Sequence, residues 1–441
     1  MDENELMGSM KVSKAVAKMA IPSVISSLVT VVYNMADTFF VGQTGDPLQV
    51  AAVSQTNPIF ILFMAFANMF GMGGSAAASM ALGEKKEKRV KQVSSFITYA
   101  SLIVGIVFAV ILLVGMQPVL QLFGADADTY ELAKGYTTYI SYGAPFIIWS
   151  AAASFVVRSD GASREAMTGS MIGTVANIIL DPIFIYIMGV QGAALATVLS
   201  QLAASVWTFK FLTGKNTIIK IKLSAMRCQA KRVKKILVLG LSGFTMSVTN
   251  SAVQIACNVS LQNYGSDVYV GVMTIINSIR EVLQMPVTGL GNGAQPIIGF
   301  NYGAGENGRV KEAIRYLAAM LIIYSTVAWF IILLIPKFLI GIFTADAALI
   351  TAGVPSLHIY FFGFFLMAFM FTGQTVFVGI GKAKFAIFFS ILRKGIVVIP
   401  LILLLPIWFG VNGVFLAEPI SNLIGGLACF TTMYFAVYRK L

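Results

Sequence analysis

Apolar runs of membrane-spanning length follow one another along the whole chain, separated by short polar turns. A helix that crosses a bilayer needs about 20 mostly apolar residues. Twelve stretches qualify, at about 15–41, 50–82, 93–116, 136–158, 166–188, 191–213, 236–261, 267–300, 312–335, 353–379, 385–408 and 412–436. Composition agrees: 57% of the residues are hydrophobic and 11% charged, against roughly 25% charged in soluble domains. A soluble fold could not cover so much apolar surface. Cys228, Cys257 and Cys429 are odd in number and widely spread, so no disulfide framework is read from them. The expected class is an all-α, multi-pass membrane protein. Spans two and eight are long, and their Gly-rich ends extend as helix or loop beyond the lipid.

Twelve spans place both termini on one side, and the location of positive charge says which. Grouping the N-terminus, the even-to-odd loops and the C-terminus collects 28 of the 31 Lys and Arg, including nine between Lys210 and Lys235. The opposite face holds only Lys134 and Lys337, and Arg280 lies inside a span. That basic face reads as cytoplasmic. The net charge of +12 is therefore an orientation signal with affinity for anionic lipid, not a nucleic-acid footprint.

The chain repeats itself at an offset of 220 residues. Gly71, Gly73, Gly83, Arg89, Val90 and Lys91 fall on Gly291, Gly293, Gly303, Arg309, Val310 and Lys311. FGAD at 123–126 falls on FTAD at 343–346, and GVQGA at 189–193 matches GVNGV at an offset of 221. Each half has six spans, an even number, so the halves are parallel repeats about an axis along the membrane normal. The expected organisation is an N-terminal lobe at 1–213, a basic cytoplasmic linker at 214–235 and a C-terminal lobe at 236–441. Two similar lobes facing a central cleft suit alternating access, although a duplicated scaffold without transport would share the pattern.

Ionisable groups inside spans are costly and usually functional. Asp37 lies about 22 residues into the first span, roughly 33 Å along it, and Asp181 about 15 residues into the fifth. Both fall in the outer half of the N-terminal lobe. Tyr33 and Asp37 share a helix face, as do Asn177 and Asp181. Thr197 enters from outside at a compatible depth. Two carboxylates, an amide oxygen and two hydroxyls form a hard-oxygen cluster able to hold a small cation or exchange protons. A plainer reading makes Asp181–Pro182 a helix cap and Asp37 a surface residue. Pro22 gives the first span a place to bend. The second lobe does not copy the cluster: Asp37 falls on Cys257 and Asp181 on Leu401. Arg280 is expected to form a structural ion pair with Glu418, a substrate contact being the other reading. Adjacent Glu281 cannot reach Arg280 well.

One histidine, His358, leaves no zinc motif, and neither a P-loop nor G-x-S-x-G is present. The chain reads as a carrier without a cofactor, not as an enzyme, with its energy taken from an ion or substrate gradient. The 21 Met and 33 Phe suit a cavity for lipophilic cations, though most of them must face lipid or neighbouring helices.

Across essentially its whole length the sequence resembles the multidrug and toxic compound extrusion (MATE) transporters, within them the bacterial multidrug-export branch. The resemblance rests on IPSVISSLVTVVYNMADTFFVGQTG in span one, ANIILDPIFIY in span five and NSIREVLQMPVTGLGNGAQPIIGFNYGAG in span eight. It implies twelve helices in two six-helix lobes set as a V, working as a monomer in a bacterial cell membrane. It implies export of amphipathic organic cations in exchange for H⁺ or Na⁺. The family's N-lobe cation site maps onto Tyr33, Asp37, Asn177, Asp181 and Thr197, and its bending point onto Pro22. In the C-lobe regions that carry acidic cation ligands in some relatives stand Gln254, Cys257 and Gln374, so no cation site is expected there. The alternative is a lipid-linked precursor or polysaccharide flippase of the same superfamily. That function calls for several cations in the cleft, and only Arg280, with Arg393 and Lys394, is available.

Overall fold

The computed structural model describes residues 3–214, 217–221, 225 and 230–441. Part of the expected linker 214–235, and Cys228 within it, lie outside the described residues. Among the described residues there are helices and no strands. The first repeat comprises α1 (Val12–Gly42), α2 (Pro47–Gly83), α3 (Glu87–Val114), α4 (Tyr130–Ser159), α5 (Ser163–Met188) and α6 (Val190–Thr213). The second comprises α7 (Ala230–Tyr264), α8 (Asp267–Ala304), α9 (Asn307–Leu334), α10 (Ala347–Tyr360 with Phe364–Gly379), α11 (Ala383–Phe409) and α12 (Val411–Ala436).

Ten of these helices are long and apolar enough to cross a membrane, and the two pieces of α10, bent by 42° around Gly363, make an eleventh. Gly363 has φ +67°, which glycine adopts without a steric penalty. The remaining expected span, α8, is an unbroken helix of 38 residues but is too polar to qualify by composition. Its Gln295 and Asn301 are buried against protein rather than lipid. The Gly-rich ends of α2 and α8, open between helix and loop in the sequence, are helical to Gly83 and Ala304.

The FGAD and FTAD loops do similar work. Asp126 Oδ1 accepts from the Thr129 hydroxyl at 2.7 Å and amide at 3.0 Å, just before α4. Asp346 Oδ1 caps α10 by accepting from Ala348 N at 2.7 Å. The Thr129 hydroxyl holds the Asp126 carboxyl below the usual carboxylate range.

The repeated glycines form the contact between the lobes. α1 packs along α8, α2 packs reciprocally along α7, and α2 crosses its own counterpart α8. A Cβ on Gly73 would run into the Ile236 carbonyl and fall 2.7 Å from the Gly240 nitrogen. On the other side of the repeat axis, a Cβ on Gly293 would fall 2.5 Å from Ala20 Cα. Ala20 and Gly240 are themselves 220 residues apart. Gly83 abuts Phe300, and Gly303 abuts Met80, in the same reciprocal way. Small residues let helix backbones approach this closely in membranes.

All these contacts lie toward the end of the molecule that holds both termini. There Asn301 Nδ2 donates to Met7 O at 3.1 Å, Arg309 Nη2 to Met10 O at 2.7 Å, and Arg315 Nε to Tyr438 Oη. One buried core joins both lobes at this end and continues through the second lobe, while the far half of the first lobe has a core of its own. Of the linker, Thr217 and Ile219 are tied to the first lobe. The buried Asp160 carboxylate accepts from Thr217 Oγ1 at 2.6 Å and Ile219 N at 3.1 Å.

Candidate cation site

α1, α4, α5 and α6 meet in the far half of the first lobe and bring the sequence-predicted residues together. Tyr33 Oη donates to Thr197 Oγ1 at 3.1 Å, linking α1 to α6. Asn177 Nδ2 donates to Asp181 Oδ1 at 3.0 Å, one turn apart on α5. Asp37 and Asp181 lie within electrostatic range of each other, and Tyr33 within range of both. Asn177 and Asp181 are fully buried, Thr197 is 2% exposed, and Tyr33 and Asp37 are half-buried.

Three oxygens here are buried without a hydrogen-bond partner: Asp37 Oδ1, Asn177 Oδ1 and Asp181 Oδ2. Buried acceptors are ordinarily satisfied, and leaving one unpaired costs about 1–3 kcal/mol, more if charged. All three are hard oxygens, the donor type that binds alkali and alkaline-earth cations or takes up protons. Among the described residues no group of three or more His, Cys, Asp or Glu side chains comes together. Beside its two carboxylates the cluster offers amide and hydroxyl oxygens. Asp181 sits inside continuous α5, with Pro182 following it, and does not cap a broken helix.

Sequence reasoning missed Tyr136. This buried tyrosine on α4 lies within electrostatic range of Asp37, Tyr33 and Asp181. It is one of three tyrosines spaced three apart, 136, 139 and 142, and nothing local distinguishes it. Pro22 lies inside α1, which runs as one helix from Val12 to Gly42.

The second lobe departs from the sequence reading. No ion pair joins Arg280 to Glu418 among the described residues. Glu418 is held by Arg393 at 3.1 Å and Lys394 at 3.2 Å. Both cations reach it because α11 widens to a π-helical turn over Leu392–Val398, which the sequence does not announce. Arg280 lines the same cavity as Glu418, and its Nε is buried without a partner. Glu281 is exposed. Gln254 and Cys257 line that cavity too, and Gln374 donates to Ser390 at 2.8 Å.

Two parallel six-helix lobes with a buried acceptor cluster in one of them define a multi-pass membrane transporter. The chain belongs to the MatE family, whose pattern matches it twice, at residues 22–183 and 243–404. It is 30% identical to the multidrug export protein MepA of Staphylococcus saprophyticus subsp. saprophyticus, over 96% of this chain and 94% of that one. It is 27% identical to MepA of Staphylococcus aureus over the same shares. It shares its fold with a crystal structure of MATE in the straight conformation (TM-score 0.94, 24% identity, 100% of both chains). The same holds for a MOP superfamily transporter from Pyrococcus furiosus (TM-score 0.93, 24% identity, 100% of this chain and 99% of that one). Proteins of this family transport; they are not enzymes.

Proposed function

We propose that the protein is a secondary active antiporter that exports amphipathic organic cations, drugs among them, in exchange for H⁺ or Na⁺. The observation that carries this reading is the set of three partnerless buried oxygens on Asp37, Asn177 and Asp181. The relatives are named as multidrug exporters, which supports drugs as substrates, and resistance of the host cell to toxic cations is the expected consequence. The protein acts as a single chain in a bacterial cell membrane, with both termini and the basic end in the cytoplasm.

Two carboxylates in a low-dielectric interior repel each other, so the empty, doubly charged site is strained. A bound cation or proton relieves that strain and draws the far halves of α1, α5 and α6 together. Pro22 has no amide hydrogen to donate to the preceding turn, so α1 bends there most easily. Bending narrows the cleft on the N-lobe side and displaces drug outward. Swinging a population from mostly one state to mostly the other takes about 5.5 kcal/mol of differential binding, which a site made and unmade by helix bending can supply in large part. The flippase alternative needs free cations along the cleft, and Arg393 and Lys394 are tied to Glu418.

Purified protein in liposomes loaded with ethidium, with a proton or sodium gradient imposed alone, tests this. Efflux driven by one of the two gradients is expected. Equal efflux with and without either gradient would refute antiport.

A further inference from the structure

Every residue of the first lobe's oxygen cluster has a repeat counterpart lining one cavity in the second lobe. Tyr33 and Asp37 fall on Val253 and Cys257 at the offset of 220. Asn177, Asp181 and Thr197 fall on Val398, Ile402 and Glu418 at 221, the offset that also relates GVQGA to GVNGV. The duplication thus sets this cavity where the first lobe has its cluster. It has room for about one water molecule, the scale of a single small ion. Gln254, one of its lining residues, is exposed, which leaves the cavity a way out to solvent.

The polarity is reversed between the lobes. In the first, buried acceptors lack donors. In the second, Glu418 is the one carboxylate lining the cavity, and it is already used. Lys394 Nζ lies 3.3 and 3.2 Å from its two oxygens, and Arg393 Nη1 lies 3.1 Å from Oε1. Arg280 is left without a carboxylate of its own. It is within electrostatic range of Glu418 but makes no hydrogen bond to it, and its Nε is buried and unpartnered. Neighbouring Glu281 is exposed and does not line the cavity. The other polar side chains around Arg280 are the Asn250, Gln254 and Asn277 amides and the Tyr360 hydroxyl. None of these four hydrogen-bonds to protein among the described residues. Each can turn an N–H or O–H toward the cavity. A water molecule would satisfy these dipoles but would not offset the charge of Arg280, and an uncompensated cation inside a membrane protein is costly.

We propose that the C-lobe cavity binds a single monatomic anion, a halide such as chloride. Arg280 is its counter-ion, and the Tyr360 hydroxyl and the three amides supply the remaining donors. A halide presents only acceptor character and fits a space of this size, whereas sulfate, phosphate or an organic acid is too large for it. The duplicated frame then holds a hard-oxygen cluster for a cation in one lobe and a donor-lined site for an anion in the other. The proposal does not depend on antiport, since occupancy of this site is an equilibrium property of the folded chain.

Equilibrium dialysis of purified protein in detergent, with no gradient, tests it separately from transport. The probe is radiolabelled chloride, with gluconate holding ionic strength constant and unlabelled bromide or sulfate as competitor. Wild type is expected to show saturable binding that bromide displaces and sulfate does not. Arg280→Gln should weaken it at least about tenfold, the size of one charge-assisted hydrogen bond. Arg280→Lys should retain part of the affinity, and Tyr360→Phe, which removes only a hydroxyl, should lose a few-fold. Gel filtration confirms that each variant is folded, and Tyr360→Phe decides the matter where Arg280→Gln is not. Absence of saturable chloride binding in the wild type would overturn the proposal. So would wild-type affinity in folded Arg280→Gln or, failing that variant, in Tyr360→Phe. Displacement by sulfate as readily as by bromide would assign the binding to the basic surface of the protein and likewise overturn it.

Discussion

Gly293 lies so close to Ala20 that a Cβ on the glycine would fall 2.5 Å from the alanine Cα, and 2.6 Å from its nitrogen. This places α8 of one lobe directly against the backbone of α1 just before Pro22. Gly289 does the same at Val24, just after it. The helix proposed to bend is thus held from the opposite lobe on both sides of its proline. Gly293→Val should force these backbones apart and destabilise the protein by about 1–3 kcal/mol. Gly308 has nothing within 4 Å, so Gly308→Ala should leave the thermal midpoint in detergent unchanged. Equal midpoints for the two variants would show that the approach is not tight.

Glu418 is the counter-ion of two buried cations. Glu418→Gln should cost about 3–5 kcal/mol, because it leaves buried charge unpaired. The double variant Glu418→Gln, Lys394→Met should recover part of that loss. Yield after detergent extraction and the thermal midpoint both report it. A Glu418→Gln protein as stable as the wild type would mean that water reaches Arg393 and Lys394 freely.

Topology is tested by single cysteines in a cysteine-free background. Lys85→Cys and Lys231→Cys should resist impermeant thiol reagents on intact cells, and Asp126→Cys should react. Labelling of Lys231→Cys from outside would reverse the orientation that the basic residues imply.

Bending of α1 has a structural cost that can be read. Ser26, one turn past Pro22, donates to Ser170 on α5 at 2.9 Å and accepts from Arg158 on α4 at 3.3 Å. A bend at Pro22 must loosen these contacts. The distance between spin labels at the far ends of α1 and α6 should therefore change between high and low pH, or with sodium. It should become insensitive in the Asp37→Asn, Asp181→Asn double variant. The same change in both proteins would mean that the lobes rock as rigid bodies around an unbent α1.

The clustering of the N-lobe oxygens was legible because its parts obey local rules. Tyr33 and Asp37, and Asn177 and Asp181, are each one helical turn apart, and the second spacing becomes an actual hydrogen bond. The glycine repeat was equally plain, but its purpose was not. Gly73 and Gly293 gain meaning only when Gly240 and Ala20 are seen against them. Tyr136 reaches the site by tertiary packing alone. The Arg280–Glu418 pairing failed for a related reason. Arg393 and Lys394 are sequence neighbours, which on an α-helix point about 100° apart. Only the π-helical turn lets both face one carboxylate.

The central claim is that Asp37 and Asp181 form one site whose occupancy drives export. Ethidium efflux from proteoliposomes, under the gradient that drives the wild type, measures this most directly when Asp37→Asn and Asp181→Asn are compared with it. Each variant should still bind ethidium, so that folding and drug recognition are intact, while gradient-driven efflux falls to the rate of empty liposomes. Wild-type efflux by Asp37→Asn under the same gradient would contradict the account, because the carboxylate placed at its centre would then carry no coupling.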